Sequence, residues 1–349
     1  MTLIPSTALR LGLAVALAML LCHAPARAAP PEEDADFQPG KDWQLPGTGF
    51  HFGGYATLSL QDGDDAPASL SLEHASLFVH WEGDGRFRFF SEIDLQSLVT
   101  IEKGSEPAYP QAYPSLQRLY VDYLYSDRLS FRLGKFLTPI GRWNVIHEDP
   151  LVWTTTRPLV SEQAFPTNTT GAMAFGSLLL LGRPVDYSIY AALPDDWRTV
   201  PAEQPFEEAT GVHVSTPITG TAEIGVSAVS FVQRGTAGEQ KLVGLDYLWS
   251  RNRYEIMAEA IYRRSSEGGA ASERGAFVQA VAPVSERLYL VGRYEFYEEA
   301  QPAPPLNILL AGVAFKYSRG LIFKAEFTHV SNERALIPEG FFTSMAVSF

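Results

Sequence analysis

The segment at 118–144, RLYVDYLYSDRLSFRLGKFLTPIGRWN, alternates between apolar and polar positions. Leu119, Val121, Tyr123 and Tyr125 fall on one side, and Arg118, Tyr120, Asp122 and Leu124 on the other. A period of two with one apolar face predicts a β-strand with one side in an apolar medium. Ser126, Asp127 and Arg128 turn the chain. The next strand sets Leu129, Phe131 and Leu133 against Ser130, Arg132 and Gly134. Pro139 ends it, because proline has no donor for the ladder. A long irregular stretch then runs to Gly171. A tight turn, a long loop and faces of opposite polarity predict one hairpin of a membrane β-barrel.

The same pattern predicts sixteen strands, at 49–60, 69–82, 86–98, 117–126, 129–136, 171–182, 185–192, 210–216, 221–232, 241–250, 254–264, 276–282, 288–297, 306–317, 321–330 and 340–349. Their connections alternate in length. Short turns at 82–85, 126–128, 182–184, 217–220, 251–253, 284–287 and 318–320 separate longer loops near 61–68, 99–116, 137–170, 193–209, 233–240, 265–275, 298–305 and 331–339. This regularity predicts an all-β fold: a transmembrane antiparallel barrel of about sixteen strands, with short periplasmic turns and long extracellular loops. Sixteen strands are enough to leave a water channel.

Phe87, Phe89, Ile93 and Leu95 share the outward face of the third strand. Tyr247, Trp249, Tyr254, Tyr294 and Phe296 fall on outward faces near strand ends, as in interfacial girdles. The inward faces carry both signs of charge: Arg86, Arg88, Glu92, Asp94, Arg118, Asp122 and Arg132, then Asp246, Glu255, Glu259, Arg263, Arg293, Glu295, Lys324 and Glu326. Charges isolated in an apolar core cost several kcal/mol each, so this face demands water or mutual pairing.

The 137–170 loop is the expected constriction, too long for a passive connection. Trp143, Val145, Ile146, Leu151, Val152, Trp153 and Phe165 would be poorly placed in water, and folding the loop into the lumen buries them. Lys135, Arg142 and Arg157 would then face Glu148, Asp149 and Glu162 across the opening, setting up a transverse field. The alternative, that these charges pin the loop to the wall, stays open.

The chain ends add direction. Arg10, the apolar run Leu11–Leu21 and Ala26-Arg27-Ala28 predict a cleaved signal peptide over 1–28. Cys22, the only cysteine, lies inside it, and Leu21 is too large for a lipoprotein site. The mature chain therefore has no disulfide. Losing Arg10 and Arg27 leaves 25 basic against 40 acidic residues, so the net charge goes from −13 to −15. Residues 29–48, acidic and rich in proline, are expected to be a flexible periplasmic lead-in to a barrel over 49–349. The last residues, Phe341 to Phe349, alternate and stop on an aromatic. This resembles the closing strand of bacterial outer-membrane proteins, whose terminal aromatic is read by the barrel-assembly machinery. No apolar run of eighteen residues follows the signal, which excludes spanning helices.

Tyr120-Val121-Asp122-Tyr123, followed by Gly134-Lys135-Phe136 and Thr138-Pro139-Ile140-Gly141, resembles the signature of the phosphate-selective porin family of Gram-negative outer membranes. Ile140 replaces that family's aromatic, and the close match covers some twenty residues. The resemblance implies a sixteen-stranded barrel, commonly trimeric, with loops folded into the pore. The best-known members bind phosphate with a ladder of arginines and a cluster of lysines, which does not align onto this chain.

Other chemistry finds little support. His74, His80, His147, His213 and His329 sit in no nucleophile or metal motif, and His147-Glu148-Asp149-Pro150 lacks a second histidine at ligand spacing. Asp62, Asp64, Asp65, Asp195, Asp196, Glu203, Glu207 and Glu208 are expected on outer loops, where they would bridge cations to lipopolysaccharide or simply be solvated. The expectation is thus an outer-membrane porin without cofactor, metal or nucleic-acid partner. It would pass small hydrophilic solutes or ions by diffusion, with an anion- or phosphate-selective channel as the alternative. A basic constriction would favour anions despite the acidic net charge. A structural or adhesive barrel and an outer-membrane enzyme are the remaining classes.

Overall fold

The computed structural model describes residues 42–63, 67–83, 85–105, 113–146, 148–194, 204–236, 238–266, 272–300, 303–332 and 339–349. All sixteen expected strands are present: β2 (Phe50–Gly63), β3 (Ser69–Glu82), β4 (Phe87–Glu102), β5 (Tyr113–Ser126), β6 (Leu129–Leu137), β7 (Asn168–Leu180), β8 (Arg183–Ala192), β9 (Phe206–Thr219), β10 (Ala222–Gln233), β11 (Gln240–Arg251), β12 (Tyr254–Ser265), β13 (Glu273–Pro283), β14 (Leu288–Glu298), β15 (Leu306–Ser318), β16 (Leu321–Ser331) and β17 (Gly340–Ser348). Each pairs antiparallel with the next. β17 returns to β2 from Gly340↔Gly63 to Ser348↔Tyr55, so the sheet closes on itself.

A seventeenth strand, β1 (Trp43–Leu45), lies in the stretch expected to be a flexible lead-in. It pairs antiparallel with Phe50–Phe52 of β2. The physical reason is an open edge. β17 pairs with β2 only as far as Tyr55, and Phe349 then exchanges backbone bonds of 2.8 and 2.9 Å with Gly54. β1 satisfies the backbone groups that remain. The Trp43 ring also meets Phe52, with centroids 5.5 Å apart. The expected signal peptide, residues 29–41 and the acidic positions Asp64, Asp65, Asp195, Asp196 and Glu203 lie outside the described residues, as does His147.

Outward faces carry exposed leucines and aromatics, among them Leu77, Phe87, Phe131, Leu133, Leu245, Leu290, Leu309 and Phe327. Exposed apolar surface on this scale fits a barrel wall facing hydrocarbon. At the short-turn end Trp43, Phe50, Phe52 and Trp81 make an aromatic cluster. The main apolar core lies inside the barrel. Ile140, Trp143, Val152, Leu159, Val160 and Phe165 from the long loop pack there against wall residues including Tyr190, Phe231, Leu242, Phe277, Tyr297 and Ile308.

Candidate functional site: the passage beside the folded-in loop

The loop between β6 and β7 is clamped at its neck. The Thr138 backbone N–H donates to the Thr167 carbonyl (2.8 Å), and its hydroxyl donates to the Pro166 carbonyl (2.7 Å). The Asn144 amide donates to the carbonyls of Thr138 and Thr167 at 2.8 and 2.9 Å. Gly141 turns the chain inward with φ +66°. A Cβ there would lie 2.4 Å from a Glu259 carboxylate oxygen, so only glycine fits.

Carboxylates on the barrel wall receive the loop backbone. Glu259 accepts the N–H groups of Arg142 (2.7 Å) and Trp143 (2.5 Å). Glu326 accepts those of Thr155 and Thr156, both at 2.8 Å, and Glu295 accepts that of Leu159 at 2.8 Å. Wall cations hold the loop carbonyls. Arg293 donates to the Thr156 carbonyl (2.9 Å) and to the hydroxyls of Thr154 and Thr156. Lys324 donates to the carbonyls of Asp149 (2.7 Å) and Thr154 (3.1 Å). Trp153 reaches deeper, donating to Glu255 (2.9 Å), with Lys316 3.7 Å from the centre of its ring. Charge-assisted bonds of this kind are about twice as strong as neutral ones. The inward charges of β12, β14 and β16 are therefore satisfied by the loop rather than by water.

Space is left beside the wall of β3 to β9. Glu148 crosses to that wall, where Arg118 donates to it at 2.8 Å. Arg118 also donates to Glu92 at 2.5 Å. The side chains of Arg118, Glu92 and Glu148 are 12 %, 0 % and 25 % exposed, so the strut is wet on the Glu148 side and dry at Glu92. Asp94 is buried, holding His74 (2.8 Å) and Ser76 (2.9 Å). Arg132 grips Asp122 with two bonds of 2.7 and 2.8 Å. Towards the short turns a cavity of about 920 Å³ opens between this wall and the loop, lined by Arg118, Tyr120, Arg132, Phe175 and His213 with Pro139 and Val145 of the loop. Arg88, paired with Glu82 at 3.3 Å, stands at its rim, and Arg86 lies 5.9 Å from the Tyr125 ring on the same side.

The opposition expected across the opening is not what the structure contains. Lys135 shares a strand face with Leu119 and Thr170, its partners in register, and with Leu133. Gly134, with φ +130°, interrupts regular strand geometry just before it, and Lys135 is 5 % exposed. Arg142 pairs with Glu223 (2.9 Å) and Asp246 (3.3 Å) on the wall instead of meeting an acid across the opening. Arg157 and Glu162 lie on the same loop rather than on facing sides of the opening. Among the described residues Glu148 spans the gap, with Arg118 as its partner. Asp149 contributes its backbone carbonyl, to Lys324. Of the two readings the sequence left open, pinning accounts for Arg142, while Arg293 and Lys324 of the wall hold the loop in the same way.

Sequence reasoning missed the aromatic lining. The rings of Phe78, Phe90 and Tyr120 follow one another along β3, β4 and β5, the first pair tilted with centroids 5.8 Å apart and the second stacked at 5.4 Å. Phe175 on β7 continues the arc. The signal was available, since Phe78, Phe90 and Tyr120 share their strand faces with Ser76, Glu92 and Asp122. It is easily passed over where aromatics are expected to face lipid.

No family model matches the chain. A stretch of 121 residues is 29 % identical to an uncharacterized protein of Aquifex aeolicus (strain VF5); it covers 34 % of this chain and 27 % of that protein, so the match spans about a quarter of the relative. Solved structures of similar fold include OmpF of Salmonella typhi in complex with daunomycin, with a TM-score of 0.64 and 8 % identity over 88 % of this chain and 99 % of that one. Outer-membrane expressed OmpT of Vibrio cholerae has a TM-score of 0.60 and 9 % identity, covering 87 % and 99 %. An anion-selective porin from Comamonas acidovorans has 0.57 and 12 %, covering 86 % and 98 %. At these identities the likeness is one of fold, the closed sixteen-stranded antiparallel barrel of outer-membrane porins.

Proposed function

We propose that this chain is an outer-membrane porin through which small hydrophilic solutes or ions diffuse along the wall of β3 to β9. One observation carries the reading. A long loop is tied into the barrel by named carboxylates and cations, yet leaves a water-accessible cavity of about 920 Å³ on the opposite side. A barrel serving only as structure or adhesin has no use for a loop so placed. The passage needs no cofactor and no energy input, and the reading makes the protein a channel rather than an enzyme. Export by the 1–28 signal, assembly through the aromatic-ended final strand and contact with lipopolysaccharide belong to the same proposal. So does the trimer, which light scattering of the detergent-solubilised protein tests.

The residues do not favour phosphate. An anion site wants guanidinium groups free of carboxylates, whereas Arg118, Arg132 and Arg142 each hold at least one acid. The chain's resemblance to phosphate-selective porins therefore bears on the barrel rather than on the solute. Liposome swelling tests the function: vesicles carrying the folded protein should swell in isotonic solutions of small sugars and amino acids faster than empty ones. Equal rates would return the structural and enzymatic classes.

A further inference from the structure

The cavity beside the short turns is more than a widening of the passage. Tyr120 and Phe175 line it, and the arc of rings continues through Phe90 to Phe78. Guanidinium groups lie on these rings: Arg118 is 4.5 Å from the centre of Phe90, and Arg132 is 3.7 Å from Tyr120 and 5.3 Å from Phe175. Partly exposed rings in a watery lumen are costly unless something apolar covers them. The stacked guanidinium planes are fixed by their carboxylates, so their remaining N–H groups are pre-organised donors. Ser130 and Ser188 add hydroxyls at the same cavity.

Charge decides the class of solute. The cavity is lined by three guanidiniums, Arg88, Arg118 and Arg132, and each already has a carboxylate: Glu82, Glu92 with Glu148, and Asp122. Asp127 and Asp186 at the rim add negative charge and are exposed. An anion therefore finds each of these three lining guanidiniums already compensated. A ring with an apolar face and a rim of hydroxyls matches both features, laying its C–H surface on the parts of the rings that the guanidiniums leave exposed and bonding the fixed Arg–carboxylate pairs at its edge.

We propose that this vestibule is a binding subsite for a neutral polyhydroxylated ring, the chemistry of a small sugar. The inference rests on the channel reading, since it places the subsite on the permeation path. Saturation-transfer NMR on the detergent-solubilised full chain tests it, with maltotriose, inorganic phosphate and benzylamine as probes. Maltotriose should bind saturably, and Tyr120→Leu or Phe175→Leu should weaken it about tenfold by removing a ring contact while keeping bulk. Circular dichroism identifies which variants are folded, and Phe90→Leu stands in for either that is not. The inference is overturned if maltotriose does not bind, if it binds folded variants and wild type alike, or if only phosphate or benzylamine binds. The measurement needs no ion flow. A chain that binds maltotriose but conducts nothing contradicts the channel, and one that conducts without binding contradicts this subsite.

Discussion

Arg118 holds together groups with very different surroundings. Glu92, fully buried, has Arg118 as its counter-charge at 2.5 Å, while Glu148 on the loop is partly wet. Removing the cation from a buried pair leaves an uncompensated charge, at a cost of about 3–5 kcal/mol. Arg118→Ala should therefore lower the thermal midpoint followed by circular dichroism, whereas Glu148→Gln should leave it nearly unchanged. Glu148→Gln should instead raise single-channel conductance, because the strut across the passage loses its charge. The faces of Glu92, Asp94, Arg118, Asp122 and Arg132 were legible in the sequence, because strict alternation fixes them. Their partners were not, since pairing depends on inter-strand register: Glu92 lies directly opposite Arg118, and Asp122 opposite Arg132.

The folded-in loop is an element whose burial was readable and whose berth was not. Trp143, Val152, Trp153 and Phe165 announced a buried segment. The receiving wall was marked only by strands apolar on both faces, such as Leu306, Ile308, Leu309 and Leu310 in β15, where the lumen side is covered by the loop. Wall carboxylates binding backbone amides leave no trace in composition. Gly141 is where the loop is most easily disturbed, with its positive φ and Glu259 in the place a Cβ would take. Gly141→Ala should displace the neck, release the amides of Arg142 and Trp143, and widen the passage. Larger single-channel conductance and faster proteolytic cutting within 140–160 are the expected readouts, with the barrel's strand signal retained. An unchanged conductance would mean that the neck does not limit flow.

At the scale of the whole molecule, alternation and loop length gave all sixteen barrel strands, because each strand separates two media and changes face at nearly every residue, broken only at bulges such as that between Leu124 and Ser126. β1 escaped because three residues carry no period; only the edge left open beyond β17 explains it. The cavity left between the loop and the wall of β4 to β9 also lay beyond the sequence, since it follows from where one loop lands. The placement of the loop has a direct electrical consequence. The chain's acidic net charge counts for little at the passage, where Arg118, Arg132 and Arg142 are each ion-paired. The most direct measurement is the reversal potential of the purified protein in a planar bilayer under a KCl gradient. The structure predicts stepwise conductance with a weak or cation-leaning preference that phosphate does not block. A silent bilayer, or strong anion selectivity with phosphate block, would contradict it.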